Sequence, residues 1–166
     1  KIKHFVTGTN ANNIVPNYLK TGAYNPKPSV ATISNAMDVG APSNFVRIQQ
    51  LFDNDIETLR QKLSGYSYSD HETRAALQKL YSEKNYIADP HGAIGYLALK
   101  EFMDGAENTI GVFLETAHPV KFIDVIPKNI SEAIKIPEAI QDILSKTKKA
   151  EKISTYSELK QLLLTN

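Results

Sequence analysis

Three short runs concentrate the side chains that could do chemistry. Thr7-Gly8-Thr9-Asn10-Ala11-Asn12-Asn13, Ser34-Asn35-Ala36-Met37-Asp38 and Glu115-Thr116-Ala117-His118-Pro119 are dense in hydroxyls and amides. Such groups donate and accept hydrogen bonds without net charge, a suitable lining for a polar small molecule or its phosphate. Asn10, Asn12, Ser34, Asn35 and Asp38 are the candidate substrate contacts. His91 and His118 could move a proton or bind phosphate, although packing or capping is the ordinary use of each. The Thr116 hydroxyl could meet a ligand or bond nearby backbone. His4 and His71 read as structural or exposed. No two histidines have the spacing of metal ligands.

The elements that must position these runs can be read from periodicity. Ile2–Thr7 is a strand candidate ending at Gly8. Ile14, Val15, Tyr18 and Leu19 have helical spacing, with Pro16 in the first turn and Gly22 as the stop. Val30–Ile33 is a second strand candidate. Phe45, Ile48 and Phe52 share a helical face behind a Ser43 cap, Ile56, Leu59 and Leu63 continue it, and Gly65 closes it. Ser69 and Glu72 have capping-box spacing before Leu77, Leu80 and Tyr81. Asp89-Pro90 starts a helix carrying Ile94, Leu97, Ala98 and Phe102, and Gly92 and Gly95 leave one of its sides bare for close approach. Ile110–Leu114, apolar but for Gly111, reads as a strand covered on both faces. Helices follow over Pro137–Ser145 and after the Thr155/Glu158 pair. Strands separated by helices predict an α/β fold, part of a parallel or mixed sheet flanked by helices. Each polar run then falls just past the carboxyl end of a strand, where open parallel sheets collect ligands.

The 166 residues suffice for one domain with a core, and residues 1–166 read as a single α/β segment. Net charge is +1 from 19 basic and 18 acidic side chains, which gives no reason to expect nucleic acid or an anionic membrane as partner. The absence of cysteine excludes disulfides, thiolate zinc cages and thiol catalysis. No apolar run reaches membrane-spanning length and no signal peptide is visible, so a cytoplasmic location is expected.

Four strings in register carry a family resemblance: Thr9-Asn10-Ala11-Asn12-Asn13 with Val15-Pro16; Ser34-Asn35-Ala36-Met37-Asp38-Val39 with Pro42-Ser43-Asn44-Phe45; Asp89-Pro90-His91-Gly92-Ala93-Ile94-Gly95-Tyr96; and Thr116-Ala117-His118-Pro119-Val120-Lys121-Phe122. Together they resemble the C-terminal portion of the longer class of pyridoxal-phosphate-dependent threonine synthases, with the tryptophan-synthase-like fold type II. The resemblance implies the large domain of a lyase of threonine biosynthesis that converts O-phospho-L-homoserine and water into L-threonine and phosphate. It also implies that Thr116 faces the pyridine nitrogen of pyridoxal 5′-phosphate. A neutral hydroxyl there favours replacement at the side chain over transamination.

The family's Schiff-base lysine lies in a Ser/Ala-Phe-Lys-Asp type motif, and its phosphate cradle is a Gly-Asn-Phe-Gly type loop. Neither string occurs here; both are expected upstream of Lys1. The resemblance therefore implies that no catalytic residue of that kind lies in this chain, and that the segment alone neither binds the cofactor nor turns over. Lys121 is near the proposed site in sequence but does not read as the missing lysine. A sheet lacking its N-terminal strands would expose apolar surface, so a homodimer covering that surface is expected. The rival reading is a non-enzymatic α/β module that uses the strand-end loops to bind a small anion or nucleotide.

Overall fold

A computed structural model describes residues 2–165. They divide into two compact units, one reaching Ile134 and one beginning at Lys135, where the sequence reading has a single segment.

The first unit is α/β. Strand β1 (Phe5–Thr9) and strand β2 (Leu63–Ser67) pair in parallel, with Phe5 opposite Leu63 and Thr9 opposite Ser67. Parallel pairing needs a long crossover. It is supplied by α1 (Ile14–Thr21), α2 (Phe45–Leu51) and α3 (Ile56–Arg60). Helix α1 ends as predicted at Gly22, whose φ of 78° is left-handed and whose N–H donates to the Tyr18 carbonyl at 2.7 Å. Tyr18, Leu19, Phe45 and Leu59 are buried together beneath this crossover.

Two longer helices complete the unit. Helix α4 (Asp70–Lys84) opens with the expected reciprocal capping box between Ser69 and Glu72. Helix α5 (Pro90–Phe102) opens with Asp89, whose Oδ1 accepts from the His91 N–H at 2.8 Å, and with proline at its first position. Leu77 and Leu80 of α4 meet Ala93 of α5 in the main core, which Phe122, Ile126 and Ile130 close from the chain that follows. At its other end α5 is tied down by Glu101, which accepts from the buried Tyr68 hydroxyl at 2.7 Å. A short helix α6 (Lys128–Ser131) brings Ile130 into the core.

The second unit carries α7 (Glu138–Leu144) and α8 (Tyr156–Thr165). The Thr155/Glu158 pair caps α8 as predicted: Glu158 accepts from the Ser154 and Thr155 N–H groups, and its own N–H donates to Thr155 Oγ1 at 3.3 Å.

Five expectations need correction. Strand β1 begins three residues later than predicted and includes Gly8. Residues 30–33 are not a strand: side chains take their backbone groups, with the Val30 N–H and C=O on Asn12, the Thr32 N–H on Asp38 and the Ile33 N–H on Asp70. Asn44, not Ser43, precedes α2, and no side chain caps it. Leu63 and Gly65 belong to β2 rather than to a helix. Leu59 and Leu63 happen to stand four apart, which imitates a helical stripe across a loop. Gly65 is where α1 crosses the strand, and a Cβ there would lie 2.9 Å from Leu19 Cδ1 and 3.1 Å from Pro16 Cα.

The predicted strand at Ile110–Leu114 also takes no partner among the described residues. Only one side of it is covered, by α5, while Ile110 is 93%, Val112 76% and Leu114 74% exposed. Alternate exposure is strand-like, but the second face and both edges are bare.

Candidate functional site

Helix α5 organises the site because two extended segments run back along it. His4 stacks on Phe102 at its C-terminal end, and Gly8 lies over Ile94 and Ala98, so β1 runs towards the N-terminus of α5. A Cβ on Gly8 would lie 2.9 Å from Ile94 Cγ2, so only glycine lets the strand sit this close. The second segment follows the same direction. Gly111 faces Leu99 and Met103, Phe113 passes Gly95, and the Glu115 carboxyl lies against Gly92. Ile94 and Ala98 share one flank of α5; Gly92, Gly95 and Leu99 share another. The Asn-rich run after β1 and the Thr116 run thus reach the same end of α5 on two sides.

The first two polar runs form one network. Asn10, 8% exposed, donates through Nδ2 to Thr32 Oγ1 (3.0 Å), Ser34 Oγ (2.9 Å) and Asp38 Oδ1 (3.0 Å). Its Oδ1 accepts from the N–H and Nδ2 of Asn12. Asn12 in turn clamps both backbone groups of Val30 and reaches Asp38 Oδ1 at 3.2 Å. Thr32 Oγ1 donates to Asp38 Oδ1 at 2.7 Å. The structure therefore brings Asn10, Asn12, Ser34 and Asp38 together, but their polar atoms are largely spent on one another. This leaves the rival anion-binding module no open cradle at these residues. Asn10→Ala is expected to cost about 1–3 kcal/mol, because the buried Ser34 and its neighbours lose their shared donor; urea unfolding of the chain measures it.

The remaining candidates separate. Asn35 is exposed in a 3₁₀ turn over Asn35–Met37 and has no hydrogen-bond partner among the described residues. His118 uses Nδ1 to accept from the Val120 N–H at 3.2 Å and so caps the 3₁₀ turn Pro119–Phe122. His91 packs edge-on against Phe122, with ring centroids 5.3 Å apart. Thr116 is exposed, and its hydroxyl bonds nothing among the described residues, so the local backbone does not consume it. Every described lysine, Lys121 included, is exposed. No group of His, Asp and Glu among the described residues could hold a metal ion. No helix among them is long and apolar enough to cross a membrane.

The sequence reading missed the pairing of Asp89 with Glu115. Asp89 is fully buried, and among the described residues no N–H or hydroxyl reaches its Oδ2. Burial of the Glu115 carboxyl, followed by its hydrogen bond to Asp89 and the like charge there, raises it from 4.5 to about 8. The bareness of Gly92 was the available signal that something approaches this turn.

Comparison with known proteins bears on all of these residues. A family model described as "Threonine synthase, C-terminal" matches residues 92–163. A threonine synthase from Buchnera aphidicola (subsp. Acyrthosiphon pisum) is 40% identical over 164 residues, covering 98% of this chain and 37% of the relative. The crystal structure of threonine synthase from Escherichia coli superposes with a TM-score of 0.84 at 32% identity, over 98% of this chain and 37% of that one. A pyridoxal-phosphate-bound threonine synthase from Brucella melitensis superposes with a TM-score of 0.72 at 25% identity, over 87% of this chain and 36% of that one. The chain spans little more than a third of the length of the relatives it matches.

Proposed function

We propose, on the premise that the chain belongs to the threonine synthase family, that it supplies the C-terminal part of a pyridoxal-phosphate-dependent enzyme. That enzyme converts O-phospho-L-homoserine and water into L-threonine and phosphate. The observation that carries this reading is the match in sequence and in fold, each covering 98% of the chain.

The local geometry is consistent with such a site. Thr116 sits at the end of an extended segment anchored on α5, and its hydroxyl has no partner among the described residues. It can therefore donate to a pyridine nitrogen, which makes it the residue of this chain that would orient the cofactor ring. When bound, pyridoxal phosphate supplies an electron sink for charge that develops beside it. The Asn10–Asp38 network acts one step back, holding the loop of Ser34–Asp38 rigidly at the tip of β1. Asn35, whose amide has no partner among the described residues, is the member of that loop able to meet substrate. His91 and His118 hold the turn that follows Thr116.

The bare outer face of Ile110–Leu114 supports the same reading: in the whole enzyme the remaining strands would cover it, and in this chain alone a second copy would. The cofactor lysine would come from that remaining part, since every described lysine here is exposed.

Phosphate release from O-phospho-L-homoserine tests the proposal. A full-length protein containing this segment should form threonine and phosphate in equal amounts with pyridoxal phosphate present. The 166-residue chain should form neither and should sediment as a dimer. No threonine from the full-length protein would defeat the reading.

A further inference from the structure

We propose that Asp89 and Glu115 form one proton-sharing carboxyl pair that latches the strand end bearing Thr116 onto the N-terminus of α5. The fully buried Asp89 divides its two oxygens: Oδ1 caps α5 through the His91 N–H at 2.8 Å, whereas no N–H or hydroxyl among the described residues reaches Oδ2. A buried acceptor without a donor is costly, and the structure holds one group able to repair it. The Glu115 carboxyl lies over Gly92, in the space a Cβ would take, and beside Asp89. Two ionised carboxylates in contact repel each other. One carboxyl and one carboxylate make a strong hydrogen bond.

The surroundings favour the protonated form of Glu115. Although the residue as a whole is exposed, its carboxyl lies against the buried Gly92, and burial is the leading cause of its upward shift to about 8. The Asp89 side chain acts in the same direction, and the Asp89 backbone N–H opposes it. An open cleft of about 580 Å³ borders the pair, lined by Leu80, Lys84, Tyr86, Tyr96 and Phe113 together with Glu115. Tyr86 is itself raised, by burial and then by the charges of Glu115 and Asp89. Lys84 is the one cation lining the cleft among the described residues, and it forms no ion pair with Glu115. It is placed to meet the carboxylate once the proton leaves.

The linkage has a definite sign. The folded carboxyl keeps its proton to higher pH than the ordinary 4.5, so the latch contributes its full stability below that value. The contribution is lost as pH rises through about 8, and the segment before Thr116 then loosens from α5. The positioning of Thr116 rests on the function proposed above; the shared proton does not.

The test is a carbon-13 titration of the Glu115 side chain in this chain, with the Thr116 amide followed in parallel and no cofactor or substrate present. Glu115 is expected to titrate near 8, with Thr116 following the same midpoint. Asp89→Asn keeps a helix cap and supplies its own donor, so Glu115 should titrate roughly two units lower or more. Gly92→Ala puts a methyl where the carboxyl rests and should have the same effect while the helix stays intact. A wild-type midpoint near 4.5, or one that neither variant moves, would overturn the pair. A Thr116 amide indifferent to that midpoint would overturn the latch. Because the readout involves no turnover, failure here is distinguishable from failure of the proposed enzyme activity.

Discussion

Phe122→Ala is expected to destabilise the first unit by about 3–5 kcal/mol, the usual range for an aromatic removed from a core that cannot collapse. Phe122 is 1% exposed and heads the largest fully buried side chains. It shares one core cluster with residues far apart in sequence: Ala76, Leu77 and Leu80 on α4, Ala93 on α5, and Ile126 and Ile130 after it. It also carries the edge of the His91 ring. Small domains have only about 5–15 kcal/mol of stability in total, so this single truncation removes a large share. Urea unfolding followed by circular dichroism measures it. Phe122→Leu, which keeps most of the volume, should cost under about 1.5 kcal/mol. Equal losses for the two variants would show that the ring is not packed as described. The site depends on this contact as well, because the turn ending at Phe122 is the chain that leaves Thr116.

Thr116→Ala should leave stability within about 0.5 kcal/mol, since the residue is exposed and its hydroxyl has no partner among the described residues. On the function proposed above, its effect belongs to catalysis. One hydrogen bond to a charged or strongly polarised group contributes about 1.5–3 kcal/mol. At about 1.36 kcal/mol per tenfold, that predicts a fall in kcat of about 10- to 150-fold in a full-length enzyme containing this segment. Thr116→Ser, which keeps the hydroxyl, should recover most of the rate. An unchanged kcat in the alanine variant would remove Thr116 from the site.

The parts of the fold that were legible in the sequence are those whose signal is local. The Ser69/Glu72 box, the Asp89-Pro90 start and the Gly22 stop each satisfy helix-end groups with residues close in sequence. Where the answer depends on a distant neighbour, the residues mislead. Gly65 reads as a terminator, yet it is a glycine because α1 presses on the strand there. The apolar run Ile110–Leu114 reads as buried on both faces, yet composition reports only that such residues can be covered, not that a cover is present. The same limit applies to the site. Clustered asparagines and serines announce a polar meeting point, but Asn10, Ser34 and Asp38 turn out to satisfy one another. Glu115 stands twenty-six residues from Asp89 and has no spacing to betray their pairing; only the missing side chain at Gly92 hinted at a visitor.

The unpaired stretch Ile110-Gly111-Val112-Phe113-Leu114 has a consequence for the life of the polypeptide. It is uncharged, free of proline and rich in residues that favour extended ladders, the composition of a cross-β nucleus. Glu107 and Glu115 flank it and act as gatekeepers, blunting its tendency to stack. Protonation of Glu115 removes one of those two repelling charges. With its carboxyl raised to about 8, Glu115 is uncharged at neutral pH and below, so a severed segment is prone to clump across that whole range and is protected only in alkaline surroundings.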